Sequence, residues 1–161
     1  MNRTLIEDTV TDVLARSNSK IEVVLENLFP GKRLIGGKYN LDDNRITLYL
    51  GVLEQQCELL FDSLEPFQEY VRVVLAHELG HAHDPELEYL SNRLSSIRGK
   101  VSRTRISLRL EQNAWQYADD LLRGENPIVF DTIRGQSLSG YYEVLPEYAR
   151  YLAAASTATT A

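Results

Sequence analysis

The chain has 161 residues, 43% of them hydrophobic and 25% charged, with a formal net charge of −6. That length supports a single domain with a substantial core, and the acidic balance gives no electrostatic reason to expect nucleic-acid binding. A lone cysteine, Cys57, excludes an internal disulfide, and no apolar run approaches membrane-spanning length. Met1–Lys20 mixes acids, bases and hydroxyl residues and is not expected to serve as a signal peptide. These features fit a cytoplasmic protein with one domain over 1–155, and the small polar segment 156–161 is expected to be a disordered tail.

Leu5, Ile6, Val10, Val13 and Leu14 recur at helical spacing against Glu7, Asp8, Asp12 and Arg16, which predicts an amphipathic helix over 4–16. Ile21–Leu25 reads as a short strand, although Glu26–Phe29 leaves a helical reading open, and Pro30-Gly31 turns the chain. Between Arg33 and Leu50 the period becomes two. Ile46, Leu48 and Leu50 alternate with Thr47 and Tyr49 after the turn formers Asp42-Asp43-Asn44, which predicts a β-hairpin with one buried face. Val52–Phe61 returns to a helical period around Cys57, which reads as a small buried hydrophobe.

Asp62–Pro66 carries a helix-start pattern, and the helix it predicts runs from Phe67 to about Ala82. Val71, Val73, Val74, Leu75, Ala76 and Leu79 make that helix apolar nearly all round, so it belongs at the centre of the molecule. Glu86–Leu94 predicts a short helix. Arg93–Arg109 then holds six basic residues and no acid, read as a solvated connector or, alternatively, as a basic rim for an acidic substrate or partner segment. Ile106–Arg123 is a second strong helix closed by Gly124. Ile128–Arg134 reads as a short apolar piece, Gly135–Gly140 as a loop and Tyr141–Ala155 as a closing helix rich in tyrosine. The pattern is α+β.

His77-Glu78-Leu79-Gly80-His81 stands inside the central helix and reads HExxH. Positions i and i+4 share a helix face, so both imidazoles can reach one metal ion, and Glu78 is placed to deprotonate a water there. The chemistry this predicts is a zinc site with its own general base. Gly80 should cost about 1 kcal/mol against alanine inside a helix, a cost that close approach of a neighbouring backbone would explain.

Catalytic zinc usually takes three protein ligands. Asp84 and Leu87 stand where the extended metzincin pattern needs Gly and His, so the third ligand lies elsewhere. Glu111 is the leading candidate, a carboxylate among apolar neighbours on the second strong helix, with Ala114, Ala118 and Leu122 along the same face. Glu86, Glu88, Asp119 and Asp120 are its rivals, and Asp119 or Asp120 could instead support a ligand histidine from behind. His83, Tyr142 and Tyr148 are candidates for stabilising an oxyanion, without a sequence basis for choosing among them.

The pair HELGHAHD and, about 30 residues later, ExxAWxxADDLL resembles the ImmA/IrrE family of metallopeptidases and the similar minigluzincins. The similarity covers roughly residues 40–125; Glu111, Ala114, Tyr117-Ala118 and Leu121-Leu122 match its second motif, whereas Asn113 and Trp115 replace a Glu and an Asn. The resemblance implies a small zincin-like domain, with a short β-hairpin packed on the HExxH helix and a second helix bearing the ligand. It implies Zn²⁺ held by His77, His81 and Glu111, with Glu78 as base. It also implies a protein or peptide substrate, by analogy a regulatory DNA-binding protein, aligned along an edge strand for which Ile46–Leu50 is the nominee. The alternative is a catalytically silent zinc-binding regulator acting through a partner protein. Residues 125–161, through Tyr141-Tyr142-Glu143, could hold such a site latent.

Overall fold

In the computed structural model, which describes residues 3–148, the order is α1 (Arg3–Ser17), β1 (Glu22–Glu26), β2 (Gly37–Asn40), β3 (Arg45–Tyr49), α2 (Leu50–Phe61), α3 (Phe67–His83), α4 (Leu87–Ser96), α5 (Lys100–Leu121) and α6 (Pro127–Val144). The fold is α+β, a small sheet set against a helical body. The segment 156–161 and the end of the helix expected to reach Ala155 lie outside the described residues. Among those described, no helix is long and apolar enough to cross a membrane.

α3 is the axis of the molecule. Val71, Leu75, Ala76 and Leu79 are fully buried, and α1, α2, α5, α6 and the sheet all pack against this helix. α1 lays Ile6, Val10 and Val13 on it and ends at Asn18, whose φ is 50°. A salt-bridge network reinforces that contact. Arg72 on α3 pairs with Asp12 on α1, and Arg16 pairs with Asp12 and with Glu125 beyond α5.

β2 and β3 form the expected hairpin, antiparallel with Gly37 opposite Leu48 and Tyr39 opposite Ile46. The nomination of Ile46–Leu50 as a free edge does not hold. β1 pairs parallel to the other side of β3, so the strand order is β1-β3-β2, and Leu50 already belongs to α2. Alternation within a strand reports which face is buried but not where the strand sits in the sheet. The exposed edge beside α3 is β2.

Asp62 does not cap α3; it ends α2 in a left-handed conformation (φ 52°), and α3 starts at Phe67 with Pro66 in the capping position and no side-chain cap. The expected basic connector is also helix. α5 begins at Lys100, six residues before the predicted start, and only 97–99 separate it from α4. The Arg103 guanidinium donates to the Leu94 and Ile97 carbonyls, while Arg105 and Arg109 pair with Glu147 and Glu86.

The predicted loop at Gly135–Gly140 is the interior of α6, a single helix that ends at Val144, where a separate helix had been expected from Tyr141. A β-carbon on Gly135 or Gly140 would meet nothing within 4 Å, so both glycines face open space. Each costs the helix about 1 kcal/mol. Burial of Val129, Phe130, Ile133 and Leu138 outweighs that cost, at about 1.5–3 kcal/mol per large apolar side chain.

Candidate metal centre

His77 and His81 project from one face of α3, and α5 brings Glu111 across to them. His77 Nε2 lies 3.2 Å from Glu111 Oε2, and His81 Nε2 lies 3.5 Å from Glu111 Oε1. Gly80 is what permits this approach. A β-carbon there would stand 2.4 Å from the Ala114 carbonyl oxygen and 2.6 Å from Ala114 Cα, so the two helices cross with backbone against backbone. Fully buried Ala114 and Ala118 extend the small-residue face expected of α5.

The ligand atoms of His77, His81 and Glu111 all lie within 4.8 Å of one another, a group that could hold a metal ion. A tetrahedral ion with bonds of about 2.0–2.1 Å separates adjacent ligand atoms by about 3.3 Å. The two imidazole–carboxylate separations, 3.2 and 3.5 Å, straddle that value. The rivals for third ligand are engaged elsewhere or exposed: Glu86 pairs with Arg109, Asp119 with Arg134 and Asp120 with Arg123, and Glu88 faces solvent.

Electrostatics support the same grouping. Burial pushes the Glu111 carboxyl up, but hydrogen bonds and charge from His77 and His81 outweigh burial and hold it well below the usual carboxylate range. For His81 burial favours the neutral ring, yet the Glu111 hydrogen bond and the charges of Glu78, Glu111 and Asp84 prevail and raise its pKa. The carboxylates of Glu78, Glu111 and Asp84 around the imidazole make a negative field that favours a cation.

Glu78 is anchored by the sheet. Its Oε2 accepts the Tyr39 backbone N–H at 2.8 Å, which leaves Oε1 free to act. β2 can come this close only because Gly37 has no side chain: a β-carbon there would reach Val74 Cγ1 at 2.8 Å and the Glu78 Cγ and Oε1 at 3.0 Å. Helix and edge strand together bound a cleft of about 790 Å³. Its lining includes Gly37, Tyr39, Val74, His77, Glu78, His81, Glu111 and Tyr141.

The candidates for oxyanion stabilisation require correction. His83 is two residues beyond His81, about 200° round the helix. It stacks on Tyr117, with ring centroids 5.2 Å apart, and faces a second, smaller cleft. Tyr142 packs on Tyr148 at 4.5 Å, and neither lines the metal cleft. Of the tyrosines near the end of the described chain, the one that does is Tyr141. Burial and the negative charge of Glu111 raise its pKa, so its hydroxyl keeps the proton it would donate. Ile133, Ser137 and Tyr141 line the cleft at spacings of four, a signal present in the sequence but hidden by reading Gly135–Gly140 as loop. Neither Asp119 nor Asp120 supports a ligand histidine. None of the basic residues from Arg93 to Arg109 lines the cleft, so it has no basic rim from that stretch.

Asn113 and Trp115, the two departures from the resembled motif, both have structural partners. Asn113 Nδ2 donates to Asp84 Oδ2 and Glu86 Oε2, tying α5 to the chain that leaves α3. Trp115 lies against the His77 ring with centroids 4.3 Å apart. Comparison with protein-family models, curated proteins and solved structures finds no match.

Proposed function

We propose that this chain is a zinc-dependent metallopeptidase that hydrolyses peptide bonds in a protein substrate, with the His-His-Glu ligand set of gluzincins. The observation that carries the reading is the coexistence of a three-ligand group with a carboxylate beside it, Glu78, that ligates nothing and is held by one oxygen. A purely structural zinc site is closed by four ligands and has no need of such a group.

Zinc bound by His77, His81 and Glu111 would polarise the scissile carbonyl and acidify the attacking water. Glu78 takes a proton from that water through its free oxygen as the water oxygen attacks the carbonyl carbon. As the carbon–nitrogen bond breaks, Glu78 returns the proton to the leaving amine. The Tyr39 N–H fixes the direction of that carboxylate. The Tyr141 hydroxyl donates to the developing oxyanion.

An extended substrate segment pairs with the outer edge of β2, beside the centre, in the manner of strand addition. Such a mode selects unfolded or strand-like segments of a protein over compact surfaces. Cleavage of a regulatory protein, the theme of the resembled ImmA/IrrE family, is part of this proposal by analogy alone.

The reading is tested by incubating zinc-loaded wild type and Glu78→Gln with a broad peptide library. Cleavage by the wild type, lost by about 10²–10⁴-fold in a Glu78→Gln chain that still binds zinc, supports a peptidase. A wild type that binds zinc and cleaves nothing supports the competing reading, a zinc-dependent regulator without turnover.

A further inference from the structure

We infer that Trp115 is a positioning residue for the metal ligand His77, holding the imidazole by ring packing where a hydrogen bond would ordinarily hold it. The inference rests on the zinc reading above and extends it to a residue that is not itself a ligand.

A histidine that ligates through Nε2 carries its proton on Nδ1, and that N–H normally donates to a carboxylate or carbonyl that sets the ring's rotation. His77 Nδ1 is buried and has no hydrogen-bond partner among the described residues. Its ring nevertheless aims Nε2 at Glu111. What confines it is aromatic. The indole of Trp115 lies against one side of the ring at 4.3 Å with a 32° tilt, and His81 meets it edge-on at 4.7 Å. Turning the imidazole about its Cβ–Cγ bond would drive it into the indole.

The indole is itself held in place. Trp115 is 3% exposed, Phe130 of α6 meets it edge-on at 5.6 Å, and its Nε1–H donates to Ser137 Oγ at 3.4 Å. Glu111 and Trp115 are four residues apart on α5 and so share a face. One turn of helix thus supplies a ligand and the wall that orients another ligand.

Trp115 is the chain's only tryptophan, so its emission reports directly on the ring beside it. The experiment uses the full chain, stripped of metal and titrated with Zn²⁺, following fluorescence and measuring affinity by chelator competition. The expected results are a saturable change in wild-type emission, zinc affinity about 10- to 100-fold weaker in Trp115→Leu, and affinity largely restored in Trp115→Phe. Val13→Ala, which loosens the packing of α1 on α3 at a fully buried residue in ring contact with neither His77 nor Trp115, should lower thermal stability and leave zinc affinity unchanged.

Equal zinc affinity in wild type and Trp115→Leu would overturn the inference, as would an equal loss in Val13→Ala. If Trp115→Leu does not fold, wild-type emission that ignores saturating zinc overturns it alone. A wild type that binds no zinc removes the metal centre as well, an outcome distinct from all of these.

Discussion

Gly80 on α3 and Ala114 on α5 meet so closely that a β-carbon on the glycine would lie 2.4 Å from the alanine carbonyl oxygen. His77 and His81 lie on one helix and Glu111 on the other, so this crossing sets the size of the candidate metal centre. Gly80→Ala gains about 1 kcal/mol of helix propensity and loses more to overpacking, which typically costs about 1–3 kcal/mol. Forcing the helices apart also withdraws Glu111. Denaturant unfolding of Gly80→Ala should show lower stability without metal and, because zinc binds less tightly, a smaller zinc-induced gain than in wild type. An unchanged zinc-induced gain would mean that the crossing does not set the centre.

The residues that the structure gathers into the candidate metal centre were legible in the sequence because the information is local. His77, Glu78 and His81 follow a five-residue pattern, and Glu111 stands out as a charge on an apolar, small-faced helix. Gly80 was legible for a related reason, since a glycine in a buried helix calls for a close neighbour. What failed was non-local. Nothing within Ile46–Leu50 indicates that β1, some twenty residues earlier, closes its outer edge. Tyr141 was missed because the propensity of Gly135 and Gly140 pointed to a loop, whereas burial of Ile133 and Leu138 keeps α6 helical through both.

Tyr141 faces Glu111 across the cleft and keeps its proton. If its hydroxyl serves the oxyanion, Tyr141→Phe lowers kcat by about 10²–10³-fold with little change in KM and unchanged zinc content. Steady-state kinetics on a cleaved peptide measures this. Tyr142→Phe, whose ring packs on Tyr148 instead, should be silent in the same assay.

Gly37 makes room for Glu78 under β2. In Gly37→Ala the carboxylate must move or lose its bond to the Tyr39 N–H, and a misplacement of about 1 Å can cost about 10²-fold in rate. The expected outcome is a lower kcat with wild-type zinc affinity, because no ligand is touched. Full activity in Gly37→Ala would show that the anchoring of Glu78 is dispensable.

Glu111 and His81 give the metal-free protein opposite responses to pH. The Glu111 carboxyl is held below its ordinary 4.5, so its stabilisation is present above that pH and is lost as pH falls through the folded-state value. The His81 pKa is raised above 6.5, so its stabilisation is present below that pH and is lost as pH rises through the raised value. Urea unfolding across pH should show a stability maximum between the two transitions. Glu111→Gln should shrink the acid limb, leaving what Asp12 contributes through its bond to Arg72, and flatten the alkaline one, leaving the charges of Glu78 and Asp84 to act on His81.

The most direct measurement of the central claim is zinc stoichiometry and affinity in purified wild type, Glu78→Gln and Glu111→Gln, each shown to be folded. A zinc centre built from His77, His81 and Glu111 with Glu78 outside it predicts stoichiometric, tight zinc in wild type and in Glu78→Gln, and at least a tenfold loss of affinity in Glu111→Gln. Wild-type zinc affinity in Glu111→Gln, or loss of zinc in Glu78→Gln, would contradict it.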